Sequence, residues 1–260
     1  MKRRHFIKTT GLAIGASLLY QPTFAEADAQ QTALIHLPDQ VTALINNQVV
    51  TLTRSGNNFV FRDVIVSFET GRSAQTVFIQ ALVPVQEITL LWKISAKRTT
   101  VLNDHWERTY GDAAWHPPVA DERFPWYFME TGEAGTSGMG VKTNAAAFCA
   151  WAFDAGNLTL TLDTRSGGNG VALNNRKLKA VELVAITRKG NETPFETAKR
   201  FMKLMCDKPR MPKQPVYGIN DWYFSYGNNS SKLILEHTKL IAPAADGLKN
   251  RPFSIIDDGW

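Results

Sequence analysis

From residue 34 to about residue 189 the chain is a succession of short apolar runs broken by Asn- and Gly-rich stops. "VTALINNQVVTLTRSGNNFVFRDVIVSFE" sets β-branched and aromatic residues in near alternation and is interrupted at Asn46-Asn47 and at Ser55-Gly56-Asn57-Asn58. A period of two turns one face of a strand to a core and the other to solvent. Asn and Gly tolerate the backbone angles of tight turns. "TVFIQALVPV", "EITLLWKIS", "GMGVKTNAAAFCAWAF", "NLTLTLDTR" and "LKAVELVAITR" repeat the pattern. Many short strands with such turns predict a mainly β chain, a large antiparallel β-sandwich over residues 30–192. With 44% hydrophobic and 20% charged residues, the chain can fill one or two cores and is not of disordered composition. Seven Trp, fourteen Phe and six Tyr serve cores first and sugar-binding surfaces second.

The first 29 residues read as targeting rather than fold. Lys2, Arg3 and Arg4 precede an uncharged stretch over residues 9–20, too short to span a bilayer as a helix, which needs about 20 residues. Ala25-Glu26-Ala27 and Ala27-Asp28-Ala29 then offer small residues in cleavage-site spacing. "RRHFIK" resembles the twin-arginine signal, so a periplasmic or secreted protein is expected, with no stable membrane span after cleavage. The alternative is a short uncleaved anchor. Cleavage after Ala27 removes Lys2, Arg3, Arg4, Lys8 and Glu26 and lowers the net charge from +5 to +2. The pI of about 9.2 therefore gives no argument for nucleic acid, and no basic face with interleaved aromatics appears. Cys149 and Cys206 match no zinc or redox spacing. Two buried free thiols are expected, with a disulfide after export as the alternative.

At Thr193 the period changes. "TPFETAKRFMKLMC" has Thr193 and Glu196 in capping-box spacing with Pro194 at the first helical position. Ala198, Phe201, Met202 and Met205 fall on one face, the methionines as core filler. "DKPRMPKQP" is too stiff and donor-poor for helix or sheet, so residues 193–215 read as helix and linker. Residues 216–260 read β-α-β: "VYGIND", a helix in "SSKLILEHTKLIAPAAD" capped by Asn229 or Ser230, and "RPFSIID". Leu233, Ile234, His237, Leu240 and Ile241 are expected on the helix's buried side. Ile255 and Ile256 are expected in a strand buried on both faces. One β-α-β unit cannot cover its own sheet, so this domain is expected to be incomplete.

"PVYGINDWYFSYGNNS" followed at one β-α-β distance by "NRPFSIIDDGW" resembles the start of the catalytic (β/α)8 TIM barrel of α-galactosidase-like glycoside hydrolases, clan D, families 27 and 36. "HWERTYGDAAWH", Asp163 in "LDTRSGGNGVAL" and the run to Pro215 resemble the β-sandwich that precedes the barrel in bacterial members. The resemblance implies hydrolysis of terminal α-galactosides with retention, without a cofactor. It implies that Asp257 and Asp258 grip sugar hydroxyls and that Trp222 and Trp260 wall the sugar. The bland reading of Asp257 and Asp258 is a solvated turn. The family's nucleophile and acid/base follow the fourth and sixth barrel strands. No catalytic residue is therefore assigned here, and the chain is expected to be truncated and inactive alone.

The remaining motifs carry less. His105 and His116 stand eleven apart, a spacing that fits no metal motif. Gly167 to Gly170, "GGNG", lacks the Lys and helix of a phosphate loop and reads as a hairpin turn. Ser225, Ser230 and Ser231 lack a nucleophile-elbow context. "RTYGD", residues 108–112, reads as a structural ion pair or a loop reaching a barrel mouth. Two other functions stay open: a carbohydrate-binding or interaction module working through the sandwich, and a half-enzyme completed by a second chain.

Overall fold

The structure, a computed structural model, describes residues 35–94, 100–106, 113–120, 122–133, 135–154, 156–174 and 176–258. The export-signal stretch, the "RTYGD" segment and Trp260 lie outside the described residues. The chain divides into two compact units, Met1–Asp207 and Lys208–Trp260.

The first unit is one long antiparallel sheet folded over into two layers. Its strands are β1 (Gln40–Ile45), β2 (Gln48–Ser55), β3 (Asn58–Phe61), β4 (Val64–Thr70), β5 (Gln75–Ala81), β6 (Glu87–Lys93) and β7 (Thr100–Asn103). They continue with β8 (Arg123–Pro125), β9 (Tyr127–Gly132), β10 (Gly135–Val141), β11 (Phe148–Asp154), β12 (Asn157–Asp163) and β13 (Leu178–Thr187). The spatial order is β7-β9-β10-β13-β5-β4-β3-β2-β1-β6-β12-β11-β8. Asn46 and Asn47, at φ 49° and 61°, close the β1–β2 hairpin with the left-handed pair that matches strand twist. Alternation is visible along β5, where Val77, Ile79 and Ala81 are buried and their neighbours half-buried. The sequence pattern is thus that of a mainly β, antiparallel sandwich.

Aromatic rings fill the space between the layers. Trp92 of β6 stacks on Trp151 of β11 with ring centroids 6.1 Å apart. Trp151 meets Phe128 of β9 edge-on at 5.3 Å, and Phe128 meets Phe153 at 4.9 Å. Each such ring buries about 150–250 Å², worth roughly 4–6 kcal/mol of transfer energy before entropy is counted. Both indole N–H groups are satisfied, Trp92 donating to the His36 carbonyl at 2.9 Å and Trp151 to the Trp126 carbonyl at 3.1 Å. Cys149 and Cys206 are free thiols, and Cys149 is fully buried. Cys206 is only half-buried, a correction to the expectation of two buried thiols: it follows the last helical turn at the surface.

The helix α1 (Pro194–Met205) lies on β10 and β13. Its capping box is complete. The Glu196 N–H donates to Thr193 Oγ1 at 3.3 Å, and the Thr193 N–H donates to Glu196 Oε2 at 2.8 Å. Phe201 and Thr197 are buried, with Ala198, Leu204 and Met205 beside them. Met202, expected on that face, is 64% exposed. The buried stripe is turned toward Thr197, whose hydroxyl can go inside because it donates to Glu192 Oε2 at 3.3 Å. Close approach needs the glycines of β10: a Cβ on Gly140 would lie 2.9 Å from Met205 Sδ and 3.1 Å from Phe201 Cζ.

The second unit has β14 (Gly218–Asn220) and β15 (Phe253–Ile255) paired in parallel. Between them run the short helix α2 (Trp222–Ser225), the helix α3 (Ser231–Ile241) and a 3-10 turn, Pro243–Ala245. Gly218 is required, since a Cβ there would run into the Phe253 backbone carbonyl. Ser230 is the cap of α3, its Oγ accepting from the Leu233 N–H at 3.3 Å. Two expectations are corrected. Leu240 is 75% exposed rather than on the buried side, and Ile255 and Ile256 are 48% and 51% exposed rather than covered on both faces. Two short strands and two helices have too little surface to bury them. Among the described residues no helix is long and apolar enough to cross a membrane.

Candidate functional site

Parallel strands joined through a helix bring their C-terminal ends to the same edge. β14 runs out at Asn220 and Asp221, and β15 runs out at Asp257 and Asp258. Where the backbone ladder stops, side chains replace it. Asp221 is buried, and its Oδ1 accepts from the Asp257 N–H at 2.8 Å. Its Oδ2 accepts from Asn229 Nδ2 at 2.8 Å. Asn220 Nδ2 donates to Asp257 Oδ2 at 2.8 Å, and Asn220 Oδ1 accepts from the Trp222 N–H at 2.9 Å. Asp257 Oδ1 accepts from the Asp258 N–H at 2.8 Å, and Asn229 Nδ2 also reaches the Asp258 carbonyl at 3.3 Å.

This network fixes the edge electrostatically as well as geometrically. The Asp257 N–H, then the Asn229 amide and the nearby His237, hold the Asp221 carboxyl below the usual carboxylate range against the desolvation of its site. Asp221 is therefore an anionic tie between strand ends. The carbonyl of Asp221 accepts from Ser225 Oγ at 2.6 Å, which spends that hydroxyl on seating α2. Asp257 is half-buried and oriented by two donors. Each of its oxygens has a second acceptor position, so it can still take hydrogen bonds from a ligand. Asp258 is exposed beside it.

Of the sequence-expected site residues, Asp257, Asp258 and Trp222 come to this one edge. Trp222 starts α2 directly after Asp221 and meets Tyr226 edge-on at 5.9 Å. Trp260 lies outside the described residues. Asn220, Asp221 and Asn229 went unassigned in the sequence, although the signal was there: an Asn-Asp pair ending an apolar strand and an Asn-Asn pair before a helix. The other motifs resolve to structure. His116 sets Nδ1 2.8 Å from the Pro117 carbonyl and Nε2 2.8 Å from Asn103 Oδ1, which leaves neither nitrogen for a metal. Among the described residues no three His, Cys, Asp or Glu side chains gather in a metal-holding group. "GGNG" is a hairpin turn, with Gly167 and Gly168 at φ 58° and 81° between Ser166 and Asn169. Asp163 pairs with Arg165, whose hydrogen bond lowers its pKa.

No family model matches the chain, and no curated protein matches it. Among solved structures it is similar to the cycloalternan-degrading enzyme from Trueperella pyogenes, with a TM-score of 0.36 and 9% identity over 80% of this chain and 36% of that one. The same enzyme in complex with isomaltose gives a TM-score of 0.33 and 8% identity over 80% and 36%. A GH31 family sulfoquinovosidase from E. rectale in complex with the aza-sugar inhibitor IFGSQ gives 0.34 and 6% over 70% and 33%. The chain spans about a third of the length of these carbohydrate-processing enzymes.

Proposed function

We propose that residues 216–260 are the first β-α-β of a (β/α)8 glycosidase barrel whose complete form hydrolyses terminal α-galactosides with retention. In this reading Asp257 and Asp258, with Trp222 and Trp260 as apolar walls, hold the sugar. The observation that carries it is the placement of Asp257 by Asn220 and by the buried Asp221 at the shared C-terminal edge of two parallel strands, where such barrels keep their sites. Two adjacent carboxylates there suit the galactose 4- and 6-hydroxyls, because charged acceptors make the stronger hydrogen bonds. Retaining hydrolysis needs a nucleophile and an acid/base about 5–5.5 Å apart. By the family pattern Asp257 and Asp258 take neither role, since the nucleophile and the acid/base follow the fourth and sixth barrel strands. Those carboxylates belong to further barrel strands, in continuation or on a second chain, and exposed Phe253, Ile255 and Ile256 are the surface such strands would cover.

The 260 residues alone are expected to release no 4-nitrophenol from 4-nitrophenyl α-galactoside; release by the pure chain overturns the assignment of catalysis elsewhere. In the completed barrel, Asp258→Asn is expected to weaken galactose by about 10-fold or more, the loss of a charge-assisted hydrogen bond. Unchanged affinity overturns the sugar-holding role. Export through the twin-arginine route is part of the proposal, and Arg3→Lys with Arg4→Lys is expected to leave the protein in the cytoplasm.

A second reading has its own support. The first unit exposes a cluster of aromatic rings, Trp106, Phe148 and Trp126, which favours a sugar-binding role for the sandwich itself.

A further inference from the structure

Tyr226 has a φ of 48° and Gly227 a φ of 83°, so two consecutive residues after α2 are left-handed. Glycine takes that region freely, whereas a tyrosine occupies it only where its surroundings compel it. The turn is closed by the Tyr226 N–H, which donates to the Trp222 carbonyl at 2.9 Å, and by the Asn228 N–H, which donates to the Ser225 carbonyl at 2.8 Å. Ser230 then caps α3. Asn229 is thus held between a tight turn and a helix cap.

The amide of Asn229 serves two acceptors. Its Nδ2 donates to Asp221 Oδ2 at 2.8 Å and to the Asp258 carbonyl at 3.3 Å. One NH2 group has two hydrogens, so both are engaged, and two acceptors require the nitrogen rather than the oxygen of the amide at this place. The consequence falls on Asp258. Its N–H donates to Asp257 Oδ1 at 2.8 Å, and its carbonyl accepts from Asn229. Peptide units are planar, so tying the one before Asp258 and the one after it restrains both of its backbone dihedrals and sets the direction of its Cα–Cβ bond. Asp257 is held differently, its N–H by Asp221 and its carboxylate by Asn220.

We infer that Asn229 is the positioning residue for Asp258 in the proposed sugar site, acting through the peptide group after Asp258 and not by touching the sugar. This role rests on the reading of Asp257 and Asp258 as the groups that hold galactose. Asn220 and Asp221 aim one carboxylate of the pair, and Asn229 aims the other. An Asp258 on a loose backbone has to be ordered when the sugar binds, which weakens binding; Asn229 supplies that order beforehand.

Asn229→Ser isolates the contact. A serine hydroxyl has one hydrogen to give, and the charged, buried Asp221 is the stronger claimant, so Asp221 stays paired while the Asp258 carbonyl is released. The test is nuclear magnetic resonance of the isotope-labelled 260-residue chain titrated with galactose. In the wild type, the Asp257 and Asp258 amides are expected to shift saturably. In Asn229→Ser the affinity is expected to fall roughly 3- to 10-fold, the effect of one hydrogen bond. The backbone order parameter at Asp258 should drop, while hydrogen-exchange protection at Phe253 and Ile255 stays as in the wild type. In an Asp258→Ala background, Asn229→Ser should change affinity by less than about 2-fold, because the group it positions is gone. Equal loss in that background overturns the role, as do unchanged order at Asp258 and loss of protection at Phe253 and Ile255, which would mark Asn229 as a general prop of the fold. A wild-type galactose response that survives Asn229→Ser overturns the role alone. No galactose response in the wild type overturns the sugar-holding reading and this role with it.

Discussion

Gly140 offers a substitution whose sign tests how α1 is seated. Its backbone is that of an ordinary strand residue in register with Tyr127, so alanine there carries no conformational strain. If chain entropy alone mattered, Gly140→Ala would stabilise the first unit by about 0.4–1 kcal/mol. The surroundings oppose this. The new Cβ would stand 2.9 Å from Met205 Sδ, 2.9 Å from Tyr127 Cβ and 3.1 Å from Phe201 Cζ, whereas carbon contacts are optimal at about 3.5–4.0 Å. The methionine sulfur can swing aside, but Tyr127 Cβ is tied to β9, so the helix or a strand must yield. Overpacking of this kind costs roughly 1–3 kcal/mol, which leaves a net loss of about 0.5–2 kcal/mol after the entropic gain. For a unit of this size that is a fall of roughly 1–8 °C in Tm, read by circular dichroism. Met205→Ala in the Gly140→Ala background is expected to cost less than it does alone, because it removes one of the clashes. A Gly140→Ala protein melting at or above wild type would refute the claim that close helix approach requires the glycine.

Thr193→Ala removes the hydroxyl half of the capping box, leaving the backbone N–H bond to Glu196, and is expected to cost about 0.5–2 kcal/mol in urea unfolding, with Glu196→Ala adding less than its own single effect. Glu192 has its pKa lowered from 4.5 to about 2, first by the hydrogen bond from Arg200 and then by the Lys189 N–H, against some desolvation. A depressed carboxyl contributes stability that is full above about pH 4.5 and is lost as pH falls toward 2. The urea midpoint should therefore decline across that window, and Arg200→Gln should flatten the decline; an unchanged slope in the variant would exclude this pair as its source. Asp221→Asn places an amide where two donors now meet a carboxylate, and is expected to speed amide hydrogen exchange at Asp257 while leaving the melting of the first unit unchanged.

What was legible in the sequence follows how local each signal is. The β1–β2 turn, the "GGNG" hairpin and the α1 cap each lie within a few residues, and each stands where the pattern put it. The class of the first unit was legible because alternation repeats along nearly every strand. The orientation of α1 was readable only to within about one residue's rotation. Met202 and Thr197 differ in hydropathy in the direction opposite to their burial, and only the Glu192 partner of Thr197 explains the exchange. Ile255 and Ile256 read as covered because composition reports what a strand can bury, not whether anything is there to bury it. At the strand ends the carboxylates were legible as a pair. Their support was not, because the bonds of Asn220 and Asp221 to Asp257 cross 37 and 36 residues.

The two kinds of order in the second unit have different reach, and this bears on how its site is assembled. The polar edge is self-sufficient: Asn220, Asp221, Asn229 and Asp257 satisfy one another within the unit, and Asp221 is buried with both oxygens paired. The apolar surface is not, since Phe253, Ile255, Ile256 and Leu240 remain open to solvent around a two-stranded sheet. Hydrogen bonds can be completed by a few converging side chains, whereas hydrophobic cover needs whole elements packed on both faces. The geometry that would orient a sugar is thus set by hydrogen bonds contained within residues 220–258. In the proposed barrel, the rigidity that lets this geometry bind tightly would come from surface contributed by other strands.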